Sequence, residues 1–195
     1  MREYEKLNHM EVSKGKRDEG NYMPHHGIIR ESSITTKLRV VFDASAKTST
    51  GVSLNETLMA GPQIQDNIAT LLMRFRSHPI ALTADVEKMY RQFWIHEDDQ
   101  KHQKILWRFR EDEPIRIYQL KTVTYGTSAA PFLAVRCLKQ LAMDEGALYP
   151  EAARILIEDF YVDDLMTGAD SLKEAKKLQA DLCGLTSKGG MHLTK

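Results

Sequence analysis

Two adjacent carboxylates, Asp163 and Asp164, stand between apolar neighbours: Phe160, Tyr161 and Val162 before them, Leu165 and Met166 after. A tight turn between two such strands exposes both acids at the tip of a buried hairpin. Hard cations such as Mg²⁺ are commonly held by one or two carboxylates together with substrate phosphates. Asp is also an ordinary turn residue, and in a polar loop a solvated pair would be the better reading. The apolar setting weakens that reading. A third acid, Asp85, ends the apolar run Ile80-Ala81-Leu82-Thr83-Ala84; alone, it reads as a strand terminus or a helix cap. Together the two positions can serve a two-metal centre, whose ions lie ~3.5–4 Å apart and stabilise both oxygens of an in-line phosphoryl displacement. That chemistry requires Asp85 and Asp163 to sit on neighbouring strands of one sheet.

The elements that must position these acids follow from pattern. Tyr4, Leu7 and Met10 fall at helical spacing, ahead of a flexible stretch from Ser13 to Gly20. The run LRVVF between Lys37 and Asp43 reads as a β-branched strand, and Ser45 to Gly51 as loop. Pro62 and Asp66 open a helix with Ile64, Ile68, Leu71, Leu72 and Phe75 on one stripe, ended by His78-Pro79. Ile80 to Val86 is a strand, leading into Lys88 to Ile95 and an acidic helix start at Glu97. Ile105 to Phe109 and Ile115 to Leu120 form a hairpin across the polar turn from Arg110 to Pro114. Ser128 to Gly146 is a long helix with Pro131 in its first turn. Pro150 starts another, from Glu151 to Ile157. Phe160 to Val162 and Leu165 to Thr167 flank the acidic pair. Ser171 and Glu174 make a capping box for a helix reaching Ser187, Gly189-Gly190 stops it, and Met191 to Lys195 reads as a strand. Elements mixed in this order predict an α+β fold.

Composition sets outer limits. The chain has 195 residues, 42% hydrophobic and 28% charged, enough for one core or two small subdomains. Lys plus Arg number 27 against 27 Asp plus Glu, so no overall basic field announces a nucleic-acid partner. Cys137 and Cys183, both on expected helices, form neither a disulfide framework nor a zinc pattern, which fits a reducing, intracellular setting. The charged run from Met1 to Glu19 holds no signal-peptide core, and no stretch approaches the length of a membrane span. A soluble protein without membrane attachment is expected.

Several boxes then carry a family resemblance. Tyr161-Val162-Asp163-Asp164 resembles the Tyr-x-Asp-Asp box of reverse transcriptases, and Asp85-Val86-Glu87-Lys88-Met89-Tyr90 resembles their first catalytic box. Tyr22 to Gly27 (YMPHHG), Thr36 to Ser45 (TKLRVVFDAS), Ser53-Leu54-Asn55, Gly61-Pro62, Thr122 to Pro131 (TVTYGTSAAP) and Tyr161 to Gly168 (YVDDLMTG) look like the Bel/Pao group of long-terminal-repeat retrotransposons. The likeness runs from about Tyr4 to Lys195. A lone Tyr-x-Asp-Asp is weak; these boxes in order are specific.

The resemblance implies an RNA-directed DNA polymerase that joins a primer 3′-hydroxyl to the α-phosphate of a deoxynucleotide (dNTP), with an RNA or DNA template. It divides the chain into fingers (1–78 and 96–122) and palm (79–95 and 123–195), with an antiparallel palm sheet carrying the YVDD hairpin on helices. Asp85 and Asp163 would bind two Mg²⁺ ions, or Mn²⁺, with Asp164 completing the cluster and the Val86 carbonyl as a further ligand. Tyr90 would be a steric gate against a ribose 2′-hydroxyl. Lys88 and Met89 would lend backbone N–H groups to the triphosphate, and Arg39, with Lys37 as a weaker candidate, would reach it with a side-chain cation. Tyr125 and Gly126 would border the nucleotide, and Tyr161 and Val162 the primer terminus. Retroviral enzymes carry glutamine where this chain has Tyr125, which leaves that nucleotide contact open.

By the same resemblance the chain is a polyprotein fragment without thumb, ribonuclease H and integrase, and the isolated fragment is expected to have weak or no processive activity. A cytoplasmic location within retrotransposon particles is implied, with the nucleus as alternative. The rival reading is a catalytically incompetent remnant that at most binds nucleic acid or a partner. A viral RNA-dependent RNA polymerase would carry glycine in place of Val162, and an unrelated phosphohydrolase would not explain the ordered boxes. His96 and His102, beside Glu97-Asp98-Asp99, read as part of a solvated helix start. His25-His26 reads as a structural loop, and Trp94 and Trp107 as core.

Overall fold

The computed structural model describes residues 1–29, 31 and 38–194. In chain order the elements are α1 (Arg2–Lys6), β1 (Met10–Val12), β2 (His25–Ile29), β3 (Leu38–Phe42), α2 (Leu54–Thr57), α3 (Ile68–Phe75), β4 (Ile80–Val86) and α4 (Glu97–Gln100). There follow β5 (Lys104–Trp107), β6 (Arg116–Leu120), α5 (Ala130–Glu145), α6 (Pro150–Glu158), β7 (Phe160–Tyr161), β8 (Asp164–Ala169), α7 (Leu172–Lys188) and β9 (Leu193–Thr194). The named strands pair antiparallel throughout, and the architecture is α+β. No helix among the described residues is long and apolar enough to cross a membrane.

The chain folds as two compact units, Met1–Ala60 with Phe93–Ala130, and Gly61–Gln92 with Pro131–Lys195. These divisions differ from the expected fingers and palm boundaries at 78, 95 and 122. The segment from 61 to 78 belongs with the second unit, where Gln65 meets Val162 of the acidic turn and Arg74 meets Asp159 at the base of the same hairpin.

In the first unit, β1, β6 and β5 form one sheet and β2 pairs with β3 in another. Its core gathers Tyr4, Met10, Met23, Phe42, Ala44, Leu54, Ile105, Tyr118 and Leu120. Met10, expected on the N-terminal helix, is instead a strand residue opposite Leu120. The helix ends earlier because Asn8 adopts a left-handed conformation (φ 60°), which Asn tolerates, and His9 N–H closes back on the Tyr4 carbonyl. His25 and His26, read as loop, lie on β2 opposite Phe42 and Val41. His25 packs on Phe42 and Trp107 at ring separations of 5.9 and 5.6 Å, and burial holds its pKa below the ordinary histidine value. Trp107 is therefore core, as expected. Trp94 is not: it is 57% exposed, with Lys121 Nζ 5.1 Å from its ring centre. Its segment bridges to Thr122 at a sheet margin, and the lysine covers one ring face.

Within the second unit the sheet order is β7-β8-β4-β9. Side chains alternate between its faces. On one, Val86, Leu165 and Thr167 are buried, and Leu82, Ala84 and Leu165 line a small cavity with Leu182 and Cys183 of α7. On the other, Ala81 and Thr83 are exposed and lead to Asp85. The Ser171–Glu174 capping box forms as expected, and α7 buries Ala175, Leu178, Leu182 and Leu185 along one stripe.

Candidate active site

Strand register brings two of the acids together. Asp85 on β4 lies directly opposite Asp164 on β8, while Tyr161 on β7 pairs with Asp164 and Thr194 on β9 pairs with Asp85. One row therefore crosses the sheet: Tyr161, Asp164, Asp85, Thr194, all on the face that carries exposed Ala81 and Thr83. The Val86 N–H donates to the Asp163 carbonyl (3.0 Å), one step outside the Asp85–Asp164 pair. That placement makes Asp85–Asp164 a non-hydrogen-bonded pair, the closer of the two antiparallel types, with Cα atoms typically ~4.5 Å apart. Asp85 is half-buried and Asp164 exposed.

Asp163 belongs to the turn. Val162 and Asp163 are the residues between the paired Tyr161 and Asp164, so β7 and β8 are joined by a two-residue link. Val162 has φ 57°, a value rare for a β-branched residue. Positive φ at the first central position alone is the sign pattern of a type II′ turn, where glycine is favoured. The Val162 N–H donates to Gln65 Oε1 at 3.1 Å. Tyr90 is half-buried; burial first, and the negative charge of Asp163 second, raise its pKa above the ordinary tyrosine value. This coupling places Asp163 within electrostatic reach of the Tyr90 ring. Met89 is buried, and Lys88 is exposed with φ 51°.

At the base of this hairpin lies a partly buried ion pair. The Asp159 side chain is 4% exposed and accepts from Arg74 Nε at 3.1 Å and from the Thr167 hydroxyl at 2.8 Å. Arg74 also donates to the Glu158 carbonyl and, at 2.7 Å, to Asp66. One arginine on α3 thus ties the α6–β7 corner to the residues just before its own helix.

The remaining expected residues lie in the first unit. Arg39 is exposed on β3, opposite Ile28. Lys37 lies outside the described residues. The Tyr125 hydroxyl donates to the Val40 carbonyl and shares a 3.0 Å hydrogen bond with the Tyr4 hydroxyl, while its ring packs on Phe42 at 5.6 Å. Tyr125 thus braces β3, the strand that carries Arg39. Gly126 has φ 96°, and a Cβ there would lie 2.4 Å from the Phe42 carbonyl oxygen, so only glycine fits. Asn55 holds this loop: its amide donates to Ser45 Oγ and the Gly126 carbonyl, and its oxygen accepts from the Ser128 N–H.

In kind, the second unit's donors suit a hard divalent cation: all are carboxylate oxygens, and two are directly opposed on an open sheet face. Among the described residues no group of three or more His, Cys, Asp or Glu side chains is set to hold a metal ion together. Sequence reasoning passed over Gln65, Arg74 and Asp159. The one available signal was Asp159 itself, an acid immediately before an apolar strand. No protein-family model and no curated protein matches this chain.

Proposed function

We propose that this chain is the nucleotidyl-transfer part of an RNA-directed DNA polymerase of the Bel/Pao type, with the second unit as palm and the first as fingers. The observation that supports this reading most is the register of Asp85 against Asp164 beside the Val162-Asp163 turn. Two opposed carboxylates on an open face, with a third on the adjoining turn, are what an in-line phosphoryl displacement needs from a protein. Bound Mg²⁺ or Mn²⁺ would supply the positive charge that stabilises the attacking and leaving oxygens. Asp85 and Asp164, on opposite strands, would hold the ions together with Asp163 of the turn. Tyr90, half-buried and within electrostatic reach of Asp163, would act as the gate against a 2′-hydroxyl. Tyr161, in the same row as the acids, borders the primer terminus. The partners of this reading are primed RNA or DNA template, dNTPs and the thumb, ribonuclease H and integrase of a polyprotein, in the cytoplasm.

Single-nucleotide incorporation on primed RNA and DNA templates, with Mg²⁺ and duplex at loading concentrations, tests it. Incorporation is expected to vanish in Asp85→Asn and Asp163→Asn, and Tyr90→Ala is expected to accept ribonucleotides. Equal incorporation by wild type and Asp163→Asn would refute the assignment. Duplex binding without incorporation by the wild type would favour a non-catalytic remnant.

A further inference from the structure

We propose that Gln65 is a positioning residue for the acidic turn, accepting the Val162 N–H so that Asp163 stays aimed beside the Asp85–Asp164 pair. The inference rests on the reading of these acids as a cation site. It begins from a conflict in the chain. Valine at φ 57° is disfavoured by its branched Cβ, and such conformations persist only where surrounding contacts over-determine them. The turn is held from two sides. On one, the Asp163 carbonyl accepts the Val86 N–H; on the other, Gln65 Oε1 accepts the Val162 N–H at 3.1 Å.

Gln65 is itself well placed to pin. It is half-buried and lies two residues before Asn67, whose side chain caps α3 through the Thr70 N–H. Asp66, its direct neighbour, is bonded to Arg74, and Arg74 grips Asp159 at the base of the same hairpin. Tip and base of the hairpin are thus fastened to one short segment, residues 65 to 74. Without the Gln65 bond, Val162 is free to return to negative φ. The peptide joining it to Asp163 then turns, which re-aims the Asp163 carboxylate and strains the Val86 bond that sets the register of Asp85 against Asp164. Groups that orient metal ligands in this way typically change affinity ~10–100-fold when lost.

Mn²⁺ binding to the full chain, followed by electron paramagnetic resonance of the free ion, tests the role without requiring turnover. Gln65→Met removes the acceptor at similar volume and is expected to weaken binding about 10-fold. Gln65→Glu keeps the acceptor and should bind at least as tightly as wild type. In a Val162→Gly background the turn conformation carries no steric penalty, so Gln65→Met should there produce little further change. Wild-type affinity in Gln65→Met, weakened affinity in Gln65→Glu, or the same loss in the glycine background would each overturn the proposal. Asp163→Asn is the control for the site. If wild type and Asp163→Asn bind Mn²⁺ alike, the cation reading fails and this inference falls with it; if only the Gln65 expectations fail, that reading stands.

Discussion

Asp85 and Asp164 face each other across β4 and β8 without a hydrogen bond between their own backbones, the arrangement that brings side chains nearest in an antiparallel ladder. On the proposed reading, a cation bound between them would stabilise the folded chain by mass action, because the strands that define the site exist only in that state. At 100 times its dissociation constant the gain is about 2.7 kcal/mol. Unfolding followed with and without Mg²⁺, at matched ionic strength, should show that gain in wild type and lose it in Asp85→Asn and Asp164→Asn. A Mg²⁺ effect of equal size in all three chains would place the cation elsewhere.

Tyr90 reports on the charge of Asp163. Burial, then the Asp163 charge, raises its pKa above 10.0. Replacing Asp163 by Asn removes the charge that opposes phenolate formation, so the Tyr90 pKa should fall, though burial keeps it above the ordinary value. A folded-state pKa above the unfolded one contributes stability that is complete below the unfolded value and is lost as pH rises through the folded value. The Tyr90→Phe chain should therefore lose less stability than wild type on going from neutral pH into that alkaline range. Ultraviolet titration of the phenolate, with Tyr90→Phe to assign the signal, measures the shift; an unchanged Tyr90 titration in Asp163→Asn would separate the two residues.

Arg74 and Asp159 form the least solvated ion pair described at the base of the hairpin. Removing one partner of a buried pair leaves an uncompensated charge, commonly a loss of about 3–5 kcal/mol. Arg74 is 33% exposed, so water screens part of this, and Arg74→Met should destabilise by ~2–3 kcal/mol. The double variant Arg74→Met with Asp159→Leu should recover part of the loss, since it removes both charges. Denaturant unfolding of Arg74→Met, Asp159→Leu and the double variant decides it. Losses that simply add would show that the pair is not coupled.

The acids were legible in sequence because their signal is local: apolar runs that stop at a carboxylate. Strand β4 and the α7 capping box were legible for the same reason, each being written in a few consecutive residues. The supports were not. Gln65 meets Val162 across 97 positions and Arg74 meets Asp159 across 85, and no spacing rule reaches so far. The contacts of Tyr125 were equally out of reach: its hydroxyl meets Val40 across 85 positions and Tyr4 across 121. His25-Ile29 was missed as a strand because a His-His-Gly run has little β-propensity of its own; pairing with Leu38–Phe42 overrides it.

Lys104 is a fully buried lysine, which chains rarely keep unless its charge is fully engaged. Its ammonium donates to the Lys16 carbonyl at 2.7 Å and the Glu19 carbonyl at 2.6 Å, and lies 5.6 Å from the centre of the Tyr22 ring. Its backbone accepts from the Met23 N–H and donates to the Asn21 carbonyl. One residue of β5 therefore holds the irregular stretch from 13 to 21, which the sequence suggests is flexible, against the sheet. Lys104→Met keeps the apolar stem and removes every donor, leaving two carbonyls without their cation. A hydrogen bond to a charged group contributes roughly 1.5–3 kcal/mol, so the expected loss is about 2–4 kcal/mol once the relaxation of this surface segment is allowed for. The loss should also be local. Limited trypsin digestion is expected to cut faster after Lys14, Lys16 and Arg17 in the variant, with sites in the second unit, such as Lys176 and Lys177 on α7, unchanged. Uniform acceleration at all of these sites would mean that Lys104 supports the whole fold rather than strapping one segment to β5.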